Sequence, residues 1–180
     1  MTAPVTLIPL KCTRCATPVP AEPGEVAWQC EQCGQGLLLD ESEGLQPLEI
    51  HFAAGIAPGS QGRPFWVVEG FVTMRRASYT VFRQETEDAQ RFWQPRRRFF
   101  VPAFDADLDE LLTVGVGLLR RPPTLQPGQP VDFVPVSLPL GDVPALAEFI
   151  VFAIEAERRD KVKEIYFSLQ LGEPALWVLP

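Results

Sequence analysis

Residues 12–33 read CTRCATPVPAEPGEVAWQCEQC, and the spacing of the four cysteines in this stretch decides how the chain begins. Each Cys-x-x-Cys, Cys12 to Cys15 and Cys30 to Cys33, closes a tight knuckle that turns two sulfurs toward one point. The fourteen residues between the knuckles suit an excursion that brings the second back beside the first. Pro18, Pro20, Pro23 and Gly24 favour turns there, and Val26-Ala27-Trp28 has the composition of a short strand entering the second knuckle. Gly34, directly after Cys33, supplies the positive φ that such a knuckle asks of the next residue. Four thiolates saturate a tetrahedral ion, so a metal held this way supports structure and has no position left for a substrate.

On these residues the segment from about Leu10 to Leu39 resembles the zinc-ribbon family, and the resemblance is confined to that segment. It implies a β-rich module with one structural Zn²⁺ on Cys12, Cys15, Cys30 and Cys33. Ala16 stands where the family often has glycine. Rubredoxins share the doubled motif and hold iron, and the absence here of their proline after the third cysteine makes iron the lesser reading. Two disulfides call for an exported chain, and a thioredoxin-like redox pair calls for a βαβ setting; neither signal is visible.

The 180 residues, 46% hydrophobic and 22% charged, suit one ordinary globular domain with a small module in front of it. No run reaches the roughly 18–20 apolar residues that cross a bilayer, VPALAEFIVFAI at 143–154 being the nearest, and MTAPVTLIPLKC lacks the basic and apolar regions of a secretory signal. A cytoplasmic protein without membrane insertion is expected. The net charge of −7 is uneven: residues 1–50 carry −5, residues 51–100 carry +4 and residues 101–180 carry −6. A basic middle between acidic flanks disfavours polyanion binding by the whole molecule and leaves room for a local patch.

The expected domains are a zinc ribbon at 1–45 and an α+β domain at 46–180, with the acidic, turn-rich LLLDESEG at 37–44 as the hinge. Leu48, Ile50 and Phe52 alternate with polar neighbours as a first strand, and GIAPGSQGRP at 55–64 is a loop. FWVVEGFVTM at 65–74 reads as a strand buried on both faces, with ASYTVF at 77–82 continuing or returning from it. RFW at 91–93 closes the preceding loop or strand, and RRRFFVPAF after Pro95 forms a new one. Asp105 to Arg121 has the marks of a helix, with Asp105 as cap, an apolar stripe of Leu108, Leu111, Leu112, Gly115 and Leu119, and Pro122-Pro123 as its stop. The acids of DADLDE are caps and not a calcium loop, because Glu110 and Val116 occupy the positions that need glycine and glutamate.

TLQPGQPVDFVPVSLPLG at 124–141 is an extended, proline-punctuated connection with an edge strand at Val131–Val134. A second helix follows from about Asp142 to Asp160, with Leu146, Phe149, Ile150 and Ala153 facing inward and i, i+4 pairs Glu155–Arg159 and Glu157–Lys161 at its solvated end. Alternation at Ile165, Phe167, Leu169 and Leu171, a turn at Gly172-Glu173-Pro174 and ALWVL read as a C-terminal β-hairpin. The fold class is α+β: a ribbon, then a mainly antiparallel sheet with two covering helices and that hairpin.

No catalytic constellation is visible. His51 is the only histidine, the cysteines are committed to the metal, and no phosphate-cradling glycine pattern occurs. The expected role is therefore a non-enzymatic adaptor that binds another protein, with Trp66, Trp93 or Trp177 as exposed anchors. The alternative is nucleic-acid binding through Arg75, Arg76 and the Arg/aromatic patch around 91–98, thirteen arginines against three lysines suiting either partner. The candidate partner surface common to both is Phe92, Trp93, Arg96, Arg97 and Arg98.

Overall fold

The computed structural model describes residues 9–40, 42–78, 83–158 and 162–180. Among them lie two sheets and three α-helices, an α+β arrangement with mainly antiparallel pairing. The first sheet has strands β1 (Ala27–Gln29), β2 (Gly36–Asp40) and β3 (Gly44–Leu48) in sequence order, each antiparallel to the next. The β2–β3 turn is closed by Asp40, whose carboxylate accepts from the Ser42 hydroxyl at 2.6 Å and from the N–H groups of Ser42 and Glu43 at 2.8 and 2.9 Å. The described residues of the acidic stretch, 37–40 and 42–44, thus form strand and turn in place of the expected hinge, and β3 runs through the boundary expected at 45/46.

The second sheet is built on β5 (Arg63–Ser78), sixteen residues long. One edge of β5 pairs with β6 (Arg97–Pro102). Along the other, β7 (Val162–Leu171) pairs with Gly70–Ser78 and β8 (Ala175–Leu179) with Arg63–Val67. β4 (Ile50–Phe52) lies parallel to β8, the one parallel pair among the described strands. The two C-terminal strands and the joint between them stand where the sequence placed them, but each takes β5 as its partner and they run end to end. At the joint, three residues, Gly172 to Pro174, oppose two on β5, a bulge through which the Gly172 N–H still reaches the Glu69 carbonyl at 2.9 Å. A strand as long as β5 can satisfy both segments in one line, so neither has to fold back on the other.

Helix α1 (Arg83–Trp93) was not expected. Its residues contain neither glycine nor proline, and Pro95 stops it, but over 86–93 its buried face is narrow, with Ala89 and Trp93 one turn apart. RFW at 91–93 is accordingly the last turn of a helix. Helix α2 (Leu108–Arg120) is capped by Asp107, whose carboxylate accepts from the Glu110 N–H at 2.8 Å; the cap lies two residues past the expected Asp105. Gly115 lets α2 approach closely, since a Cβ there would lie 2.6 Å from Ile150 Cδ1 and 3.4 Å from the Phe100 carbonyl oxygen. Leu108, expected on the inner stripe, is 48% exposed.

Helix α3 (Val143–Ala156) buries Val143, Ala147, Ile150, Val151, Ile154 and Glu155. Its inner face is rotated from the expected one, leaving Phe149 48% and Phe152 46% exposed. The pairs expected with Arg159 and Lys161, and the strand expected across 79–82, lie outside the described residues.

The main core gathers Trp66, Val68, Phe99, Val101, Ile150, Val151 and Leu176. Phe99 and Phe100 on opposite faces of β6 are both fully buried, so the aromatics of this stretch are interior. The proline-rich connection forms isolated bridges in place of the expected edge strand. It works as a strap: Gly128 donates to Phe52, Val134 to Gly62 and Ser137 to Ala103, while the Val136 carbonyl accepts from Val26 of the ribbon at 2.8 Å. Ala27 belongs to the main core, with Val26, Leu38 and Leu48 packed against it. The ribbon is therefore docked on the α+β domain through apolar side chains and the strap.

A buried ionic cluster joins the remaining elements. Glu155 of α3 has no exposed surface. One of its carboxylate oxygens lies 2.7 Å from Arg76 Nε at the end of β5, and the other accepts from Trp93 Nε1 of α1 and from Arg158 Nε, both at 2.8 Å. A carboxylate inside a core is tolerated when positive charge is held against it, as Arg76 and Arg158 do here.

Candidate metal centre

The two knuckles are built alike. In the first, the Cys12 N–H donates to the Thr17 carbonyl at 2.8 Å and the Ala16 N–H to the Cys12 carbonyl at 2.9 Å. In the second, the Cys30 N–H donates to Gln35 and the Gly34 N–H to Cys30, both at 2.8 Å. Each turn needs a left-handed residue just after its second cysteine, and Ala16 at φ 61° and Gly34 at φ 71° fill it. Glycine takes this conformation freely, whereas a Cβ makes it costly. Ala16→Gly is therefore expected to stabilise the metal-loaded chain by about 0.5–1 kcal/mol, a rise in Tm of roughly 1–4 °C by calorimetry. A drop in Tm would show that the Ala16 methyl makes packing that outweighs its backbone strain.

The four sulfurs converge. All lie within 4.8 Å of one another, and the pairs Cys12–Cys33 and Cys15–Cys30 are each 3.6 Å apart. A tetrahedral ion with metal–sulfur bonds of about 2.3 Å separates its ligands by about 3.8 Å, so one ion fits the cluster with small adjustments. Cys12 and Cys30 are buried against Trp28, Leu37 and Leu45, Cys33 is half-buried, and Cys15 faces solvent. The Trp28 indole is fixed by its Nε1–H donating to Glu25 at 2.7 Å.

The electrostatics call for a cation. Hydrogen bonding to the Thr17 side chain and backbone lowers the Cys15 thiol to about 6, and the Cys15 and Arg14 N–H groups help lower that of Cys12. At Cys33 the Gln35 N–H also lowers the pKa, but burial and the three neighbouring sulfurs together push it up to about 12. The site prepares some of its thiols to ionise and resists the last, because adjacent negative charges repel. A bound dication removes that resistance. Four cysteines placed in this way are positioned to bind a metal ion, consistent with a C-x2-C-x14-C-x2-C zinc ribbon.

The expected partner surface is largely dispersed. Trp93 is 2% exposed and donates to Glu155 inside the core, so it cannot act as a surface platform, and Trp66 is fully buried with its Nε1–H on the Leu138 carbonyl. Arg97 closes the end of α1, donating through Nε to the Phe92 carbonyl at 2.8 Å with its guanidinium 4.0 Å above the Phe92 ring. Arg98 is 3.3 Å from Glu69, and Arg76 is held by Glu155. Of the five candidates, Arg96 and Arg98 remain exposed, on the rim of a cleft of about 470 Å³ that also includes Glu69, Glu173 and Trp177.

A second surface escaped the sequence reading. Beyond β6, residues 71–76 of β5 alternate between the core and solvent; Phe71, Thr73 and Arg75 share the outer face with Gln170, Ser168 and Tyr166 of β7. Phe71 is 40% exposed and Tyr166 66%. The signal was the alternation that starts at Phe71 after Gly70, masked by the apolar run FWVV at 65–68 in front of it. Comparison of the chain with protein-family models, curated proteins and solved structures gave no match.

Proposed function

We propose that this protein is a non-enzymatic adaptor in which a zinc ribbon, holding one structural Zn²⁺ on Cys12, Cys15, Cys30 and Cys33, braces an α+β domain that binds another protein. The observation that carries the reading is the open outer face of β5 and β7, where Phe71 and Tyr166 stand exposed beside Arg75. Aromatics and arginine are the side chains enriched at protein interfaces. Glu69, Glu164 and Glu173 are interspersed around them, and the chain as a whole carries −7, a field that suits a protein partner better than a phosphate backbone. Saturated thiolate ligation assigns the zinc to structure. His51 serves as packing, its ring stacked on Trp177 at 4.8 Å.

Capture from native extract with the wild-type chain and with a Phe71→Ser/Tyr166→Ser variant tests the reading. A protein recovered in stoichiometric amount with the wild type and lost with the variant is the expected result; equal recovery with both would remove this face from the proposal. Titration with single-stranded and duplex oligonucleotides at two salt concentrations addresses nucleic acid directly. Binding that weakens steeply with salt would replace the adaptor reading.

A further inference from the structure

The outer edge of β7 carries no strand among the described residues, since all its pairing is with β5. It is ten residues long and its sequence, VKEIYFSLQL, contains no proline. An edge of that length is a template for another strand unless something covers it. Directly beneath it, α3 presents Phe149 and Phe152, 48% and 46% exposed, and the Phe152 ring packs edge-on against Phe167 of β7 at 4.8 Å. The open edge and the apolar helix face are thus contiguous, and one occupant has to satisfy both.

We infer that this occupant is a second copy of the chain, joined through β7 to β7 in antiparallel register about a two-fold axis at Phe167. What must be covered is a strand edge with an apolar helix below it, and a second copy offers that same combination. A two-fold axis normal to the sheet places both α3 helices on the same side, so Phe149 and Phe152 of one copy meet their counterparts. Side chains alternate along a strand, so only registers that keep inner residues opposite inner residues preserve the core face. Centring the axis on Phe167 does so: Ile165 faces Leu169, and Phe167 faces itself. On the outer face Tyr166 meets Ser168 and Glu164 meets Gln170, so no like charges oppose. The proposal is independent of the adaptor reading, and the dimer would make the two outer faces one surface carrying Phe71 and Tyr166 twice.

Sedimentation equilibrium of the metal-loaded full chain over a hundredfold concentration range tests it. The wild type is expected to approach twice the mass of one chain, and Phe149→Glu/Phe152→Glu to stay at the mass of one, with its metal content unchanged. Both side chains are half exposed in the single chain, so the substitutions spare the core. A wild type that stays monomeric throughout, or a double variant that remains dimeric, overturns the inference. Hydrogen exchange on the wild type supplies a second readout without mutation. Amides of residues 162–171 are expected to gain at least tenfold protection at high concentration, and protection independent of concentration would count against the dimer.

Discussion

Removing the metal, by chelation or by Cys12→Ser, is expected to lower the Tm of the whole molecule by roughly 6–20 °C, with loss of the ribbon's structure. Structural zinc sites bind with about 10–16 kcal/mol of free energy that is also folding free energy, so the knuckles do not survive without their ion. The effect spreads because Ala27 lies in the main core with Val26, Leu38 and Leu48 packed against it. Withdrawing these from partial burial costs about 3–5 kcal/mol, which the size of the chain converts to that shift. Calorimetry with parallel metal analysis checks this. An α+β transition that keeps its Tm while the metal is lost would show that the ribbon is an independent module, contrary to the docking seen here.

Glu155→Ala is expected to be among the most damaging single substitutions, at about 3–5 kcal/mol, because it removes a fully buried carboxylate that Arg76, Arg158 and the Trp93 indole all face. The Arg76 side chain is 3% exposed and would lose the carboxylate 2.7 Å away, while the Trp93 indole would lose its acceptor. Glu155→Gln keeps an acceptor for Trp93 and discards the charge, so it should fall between wild type and Glu155→Ala in urea denaturation. Equal midpoints for Glu155→Ala and wild type would mean that solvent or another carboxylate neutralises the cluster.

The four-cysteine cluster was legible because its information is local: two Cys-x-x-Cys pairs state ligand type, number and approximate geometry in 22 residues of sequence. The fold class was legible from the long strand, the two apolar helices and the alternation near the C-terminus. Other features were hidden, because they depend on side-chain neighbours that no local pattern states. Helix α1 shows two buried residues, Ala89 and Trp93, among the eight at 86–93 whose burial is described, too few for a visible stripe. The rotation of α3 follows from Glu155, a charged residue turned inward by Arg76 and Trp93, 79 and 62 positions away. The arginines of RFWQPRRRFF looked like a ligand surface until Phe92 and Glu69 proved to be neighbours of Arg97 and Arg98.

The end-to-end placement of β7 and β8 also bears on how the chain is assembled during synthesis. The ribbon's strands lie within 22 residues of one another, so the metal site can close as soon as residues 12–48 are available. β5 finds β6 soon afterwards, but its other edge waits for residues 162–179, roughly a hundred positions later. At about 5–20 residues per second that interval lasts roughly 5–20 s, with a sixteen-residue strand that carries Phe65, Trp66, Val67 and Val68 unpaired along one side. The early-folding ribbon, already offering Val26 and Leu38 to the nascent core, would give that strand a partly ordered neighbour while it waits.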